Sequence, residues 1–201
     1  MGKIYLIRHG QTDSNTVRRF QGRINTELND AGKQQAVKLT EFFRDKPLHA
    51  IYCSPLVRAK MTAEPLAAMK QLPVHTMEML QEISFGGWEG LCYDEIAVKW
   101  PEEIKLFYEN PQLCLPPEGE TFSKVQDRAV KALQDILLAE GEDKDIAVIS
   151  HGGVIRTQIC ALLDIPLANF WRINVHNAST TCFTVWDGNF TADIINDHHY
   201  L

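Results

Sequence analysis

The order of hydrophobic and polar positions divides the chain into short apolar runs and longer stretches of helical period. Ile4–Ile7 is a four-residue apolar run, short enough for a strand buried on both faces. Asn29 is placed to cap a helix running to Phe43, with Ala36, Leu39 and Phe43 on one face. Ala50–Cys53 reads as a second strand and Leu56–Ala68 as a second helix, in which Pro65 removes an amide donor and predicts a kink or a break. Val74–Thr76 is a third short strand. Phe122, Val125, Ala129, Leu133, Ile136 and Leu137 mark one face of a long helix. Asp145–Ser150 holds the most apolar strand, "IAVIS", and a helix continues from it to about Leu163. The tail alternates around Asp187-Gly188 and reads as a hairpin.

Strands alternating with helices predict a three-layer α/β/α sandwich around a mostly parallel sheet, with the hairpin adding an antiparallel edge strand. No repeat or linker divides residues 1–201, so a single domain is expected. The segment from Trp88 to Leu115 is rich in aromatics and prolines, with helical pieces around Tyr93–Lys99 and Glu102–Tyr108. It reads as a small helical cover inserted over something.

In open α/β sheets, ligands sit beyond the carboxyl ends of the strands. Three segments fall there: Arg8-His9-Gly10, Ser54-Pro55 with Arg58, and His151-Gly152-Gly153. Arginine forks match phosphate oxygens, and glycines let backbone approach a ligand. Each charge-assisted hydrogen bond contributes about 1.5–3 kcal/mol, so a few convergent groups suffice to hold a dianion. Taken singly, each has a plainer reading: solvated surface for Arg8-His9, a turn for His151, an ion pair for Arg58. Their shared position at one sheet edge favours an anion site.

Composition narrows the partners. The chain has 201 residues, 45% hydrophobic, with a formal net charge of -6, which disfavours a nucleic-acid partner but not a small anion. Five cysteines, an odd number without a CxxC pair, predict neither disulfides nor a zinc site and fit a reducing, cytoplasmic setting. No apolar run approaches the roughly 20 residues of a membrane helix, so no membrane partner is expected. A homo-oligomer stays open.

"LIRHGQTDSN" (Leu6–Asn15), "RFQGRINTELNDAGKQQA" (Arg19–Ala36), "CSPLVRAKMTAEPLA" (Cys53–Ala67), "LQEISFGGWEG" (Leu80–Gly90) and "VISHGGVIR" (Val148–Arg156) stand in this order. Together they resemble the histidine phosphatase superfamily, which also contains the cofactor-dependent phosphoglycerate mutases. The resemblance implies that His9 is transiently phosphorylated and that Arg8, Arg58 and His151 hold the phosphoryl oxygens. Glu82 then donates the proton, and Asn15, Gln21, Gly22 and Gly152 add contacts. It implies a small phosphorylated metabolite as substrate, no cofactor and no metal. By residue type alone Glu82 also fits a surface position, and Glu89 is its competitor.

The short chain and modest cover favour a phosphatase over a mutase, whose bisphosphorylated intermediate needs more lid. The size and the ending "IINDHHYL" (Ile194–Leu201) are similar to α-ribazole phosphatases, making α-ribazole 5′-phosphate the named candidate substrate. A phosphoglycerate mutase and a non-catalytic phospho-ligand module are the alternatives. Against the family pattern, Asn25 replaces the usual Asp, and Glu118 in Pro116–Thr121 replaces glycine. The alcohol half of the substrate is expected to be read by the 88–115 cover and the 116–121 loop. Arg18, Arg19 and Arg23 read as a solvated basic loop. Trp100, Trp171 and Trp186 read as packing.

Overall fold

The computed structural model describes Met1–Leu201. Its six strands are β1 (Gly2–Arg8), β2 (Ala50–Cys53), β3 (Val74–Thr76), β4 (Ile146–Ser150), β5 (Thr180–Trp186) and β6 (Asn189–Asp197), ordered β3-β2-β4-β1-β5-β6. The first four strands are mutually parallel, while β5 runs antiparallel to β1 and β6 antiparallel to β5. A single helical turn, α1 (Asp13–Thr16), lies just beyond β1.

Period-2 alternation builds the layers. Tyr5 and Ile7 of β1 face one way, with Ile51, Ala147 and Ile149, against α2 (Asp30–Phe42) and α3 (Val57–Lys70). Ile4 and Leu6 face the other way, with Val148 and Phe183, against α6 (Phe122–Glu140) and α7 (Gly152–Leu162). β4, with all five residues buried, sits between β2 and β1, as its unbroken apolar run requires.

Asn29 caps α2 by accepting from Gly32 N, and Thr121 caps α6 by accepting from Lys124 N. The break allowed for at Pro65 is absent: α3 runs from Val57 to Lys70 through it. An interior proline costs about 3 kcal/mol. Here Ala59, Ala63 and Leu66 are fully buried in the layer beneath. Leu66 alone contributes about 1.5–3 kcal/mol, so packing holds the helix together.

The cover is built from α4 (Tyr93–Lys99) and α5 (Pro101–Glu109). They enclose a third apolar cluster with Trp88, Ile96, Ile104, Phe107, Phe122 and Phe170. No helix is long and apolar enough to cross a membrane.

Register places the chemistry. Arg8 pairs with Ser150 across β1 and β4, and Cys53 with Ile149 across β2 and β4. His9 and His151, at the carboxyl ends of β1 and β4, therefore leave the sheet at one level, with Ser54 one position lower beside Ser150.

Candidate active site

His9 comes directly after β1, and its backbone is pinned on both sides. His9 N donates to Ser150 O at 3.0 Å, and His9 O accepts from Ala178 N at 3.1 Å. The side chain is 2 % exposed. Its Nδ1 lies 2.7 Å from Gly10 O, which can only accept, so Nδ1 carries the proton and Nε2 keeps its lone pair. Arg58 Nε donates to that Nε2 at 3.2 Å. Burial holds the imidazole well below its ordinary pKa, and the Arg58 and Arg8 charges add to the effect. The ring is thus neutral and nucleophilic at neutral pH.

Two arginines converge on it. Arg58, in the first turn of α3, is 1 % exposed and spreads its fork over Ile24 O at 2.8 Å, Gly22 O at 2.7 Å and His9. Arg8 Nη1 donates to Val175 O at 2.7 Å, while its buried Nε has no protein partner. Burial lowers both guanidinium pKa values to about 10, leaving both groups charged at neutral pH.

His151, completely buried, packs its ring 5.2 Å from that of His9. Its Nε2 lies 2.7 Å from Ser54 Oγ, and its Nδ1 has no partner. Burial, then the Arg58 charge, hold it well below the ordinary histidine pKa.

Asn15 and Gln21 are held by their oxygens. Asn15 Oδ1 accepts from Thr12 N, Thr12 Oγ1 and Asn177 Nδ2 at 3.0–3.2 Å. Gln21 Oε1 accepts from Thr26 Oγ1 at 2.7 Å and shares the single Thr12 Oγ1 proton, 3.0 Å away, with Asn15 Oδ1. Both amides are thereby left with their donor ends free at the cleft they line. Gly22 sits at φ +50, where a Cβ would overlap the Glu89 carboxylate.

Glu82 enters from the segment after β3. One carboxylate oxygen accepts from Ile83 N at 3.0 Å and the other from Gly153 N at 3.2 Å. A Cβ on Gly153 would lie 2.5 Å from Glu82 Oε1, so a larger residue here would displace the carboxylate. Gly152 opens α7 close beside Arg8, where a Cβ would meet Arg8 Nε at 3.3 Å. Glu89 plays a different part: its Oε1 accepts from Arg23 N and Phe85 N, locking the loop.

These groups line a cleft of about 230 Å³. Its inner end holds Arg8, His9, Arg58 and Glu82, with Asn15, Gln21 and Gly22 beside them. His151 is buried against the His9 ring, and Gly152 lines the adjoining hollow with Arg8 and Glu82. The outer walls are Phe20, Phe85, Phe107, Tyr108 and Trp171 opposite Ser14, Arg18 and Arg19.

Three expectations are corrected here. Trp171 is a cleft wall rather than mere packing, because the short turns of Leu167–Arg172 after α7 bring it against Phe107 and Tyr108, its Nε1 donating to Phe107 O at 2.6 Å. Arg18 and Arg19 also reach the cleft. The 116–121 loop does not line it: Gly87 N donates to Pro117 O and Glu120 N to Ser84 O, so the loop braces the Glu82 segment from behind. Glu118 adopts φ +59 within that brace. Asn25 retains a function despite replacing Asp, its Oδ1 accepting from Val57 N at 2.8 Å and capping α3 from across the loop.

Several supporting residues carried no sequence signal. Thr62 accepts from Gly10 N and donates to Arg58 O. Asn177 Nδ2 ties His9 O to Asn15. Arg128 donates to the carbonyls of Met79, Gln81 and Glu82 and pairs with Glu120 at 3.1 Å. Burial works against the Glu120 charge, but hydrogen bonds from Arg128 and Ser84 hold its carboxyl below the ordinary range.

The chain matches the family model "Histidine phosphatase superfamily (branch 1)" over residues 4–198. It is 34% identical to phosphoserine phosphatase 1 of Hydrogenobacter thermophilus over 89% of this chain and 84% of that protein. It is 28% identical to the adenosylcobalamin/alpha-ribazole phosphatase of Salmonella typhimurium over 96% of each chain. The structure of Bacillus stearothermophilus YhfR superposes with a TM-score of 0.95 at 34% identity, covering 100% of this chain and 99% of that one. The chain belongs to the histidine phosphatase superfamily and is an enzyme of the phosphoric monoester hydrolase type.

Proposed function

We propose that the protein hydrolyses a small phosphate monoester without a metal, in two steps through phospho-His9. The observation that carries this reading is the neutral, oriented His9 Nε2 held 3.2 Å from Arg58 Nε. His9 Nε2 attacks phosphorus while the ester oxygen departs with a proton from Glu82. A water then attacks the phosphohistidine, giving its proton to Glu82 and releasing His9 and inorganic phosphate. Arg8, Arg58 and His151, with the free amide ends of Asn15 and Gln21, take the charge on the phosphoryl oxygens.

The alcohol half is read by the outer cleft. Five aromatic rings face it, and Glu82 is the only carboxylate lining it. Nothing acidic remains to pair the ammonium of phosphoserine, whereas a planar alcohol gains about 0.5–1.5 kcal/mol for each aromatic contact. This supports a substrate with a flat apolar alcohol portion, such as the benzimidazole nucleoside of α-ribazole 5′-phosphate.

The test is phosphate release in EDTA from α-ribazole 5′-phosphate, 2-naphthyl phosphate, phosphoserine and 3-phosphoglycerate. A kcat/KM at least tenfold higher for the planar alcohols is expected, falling about tenfold in Trp171→Ala with phosphoserine little changed. A preference for phosphoserine overturns the substrate assignment. Dependence on a chelatable metal overturns the mechanism. Phosphoryl transfer to a second hydroxyl outpacing phosphate release would identify a mutase.

A further inference from the structure

Ser54 occupies the turn between β2 and α3 and is completely buried. Ser54 Oγ accepts from Leu56 N at 3.4 Å, and its other neighbour is His151 Nε2 at 2.7 Å. A serine hydroxyl has one proton to donate, and the imidazole nitrogen is the acceptor within reach. His151 is uncharged, since burial and three nearby cationic side chains all oppose protonation. Its single proton then belongs on the other nitrogen, Nδ1, which is buried and has no protein partner. Arg8 Nε is unpartnered and buried in the same way.

We infer that Ser54 is a positioning residue: its hydroxyl donates to His151 Nε2 and fixes the Nδ1–H tautomer, making His151 a hydrogen-bond donor to the phosphoryl group. The inference deepens the phosphatase reading and rests on it for the identity of the acceptor. Its physical advantage is electrostatic. A protonated His151 would set another positive charge 5.2 Å, ring to ring, from the histidine that must become phosphorylated. A neutral Nδ1–H gives a directed donor without that charge. The opposite tautomer would turn a lone pair toward the anion and repel it.

The test combines kinetics with a spectroscopic signature. In protein labelled with ¹⁵N-histidine, His151, assigned with His151→Asn, is expected to show a pyrrole-type Nδ1 and a pyridine-type Nε2. In Ser54→Ala the two signals should move toward a tautomer mixture. The same variant should lose about 10–100-fold in kcat with KM changed less than threefold, somewhat less than the loss of a direct transition-state donor. Ser54→Thr keeps the hydroxyl and should restore both signature and rate; Ser54→Cys, of similar volume, should restore neither. A wild-type spectrum with a pyrrole-type Nε2 overturns the inference, as does a Ser54→Ala protein with unchanged tautomer. If no monoester is hydrolysed, the phosphatase reading fails, and the nitrogen spectrum alone decides the role of Ser54.

Discussion

Arg58 Nε lies 3.2 Å from His9 Nε2, on the lone pair that the other ring nitrogen, bound to Gly10 O, leaves free. A buried guanidinium and the imidazole proposed as nucleophile are thus held against each other by the fold itself. Burial first, and then this charge, keep His9 unprotonated, and in the proposed mechanism the same contact sets Arg58 beside the phosphoryl group. Positioning of this kind, fixed in advance by the fold, is where phosphoryl transfer gains most.

His9→Ala removes the atom proposed to attack phosphorus and leaves the cations in place. Turnover should fall by on the order of 10⁴-fold or more, while vanadate or phosphate binding persists. Quenching the wild type with ³²P-labelled substrate should trap an acid-labile, base-stable phosphoprotein. The same label in His9→Ala would assign the nucleophile to another residue.

Arg58→Ala leaves the Gly22 and Ile24 carbonyls without their donor. Unfolding free energy should drop by about 2–4 kcal/mol, and kcat/KM by about 10²–10³-fold. Arg58→Lys should recover little of either, because one ammonium cannot span two carbonyls and His9. Urea titration and steady-state kinetics read the two effects separately.

Glu82→Gln should lower steady-state turnover by about 10²–10³-fold. With p-nitrophenyl phosphate, whose alcohol leaves without protonation, a burst of nitrophenol should precede a slow phase as phospho-His9 accumulates. Alkyl phosphates should show no burst. Gly153→Ala, whose Cβ would press within 2.5 Å of Glu82 Oε1, should reproduce part of the loss with the carboxyl intact.

Acid should destabilise the protein through its two buried histidines. Both His9 and His151 have pKa values well below normal in the folded state, chiefly from burial. In the unfolded chain they titrate near ~6.5. Above that pH neither state binds the protons and their contribution is complete. As pH falls below it the unfolded state gains protons that the folded state refuses, and stability drops by up to about 1.4 kcal/mol per pH unit for each group. Denaturant midpoints between pH 7.5 and 5 should show this, and His151→Asn should flatten the slope. A midpoint that rises toward pH 5 would contradict the buried neutral pair.

The sequence alone determined the parallel layers and the groups at their edge. "IYLI" and "IAVIS" can be buried on both faces only in the middle of a sheet, and the residues after such strands emerge at their carboxyl ends. Arg8, His9, Arg58 and His151 were legible for that reason, with Glu82 added by the ordered family motifs. Local patterns also placed α4 and the cap of α2. Only the tertiary structure decided the supports and the aromatic wall of the cleft. Thr62, Asn177 and Arg128 reach the site through hydrogen bonds to backbone carbonyls and amides far away in the chain, and such contacts leave no periodicity to read. Trp171 looks like any core aromatic until the fold stacks it on Tyr108 at the cleft. Pro65 shows the same limit from the other side, since its local penalty is outweighed by burial that depends on α2 and the sheet packing against it.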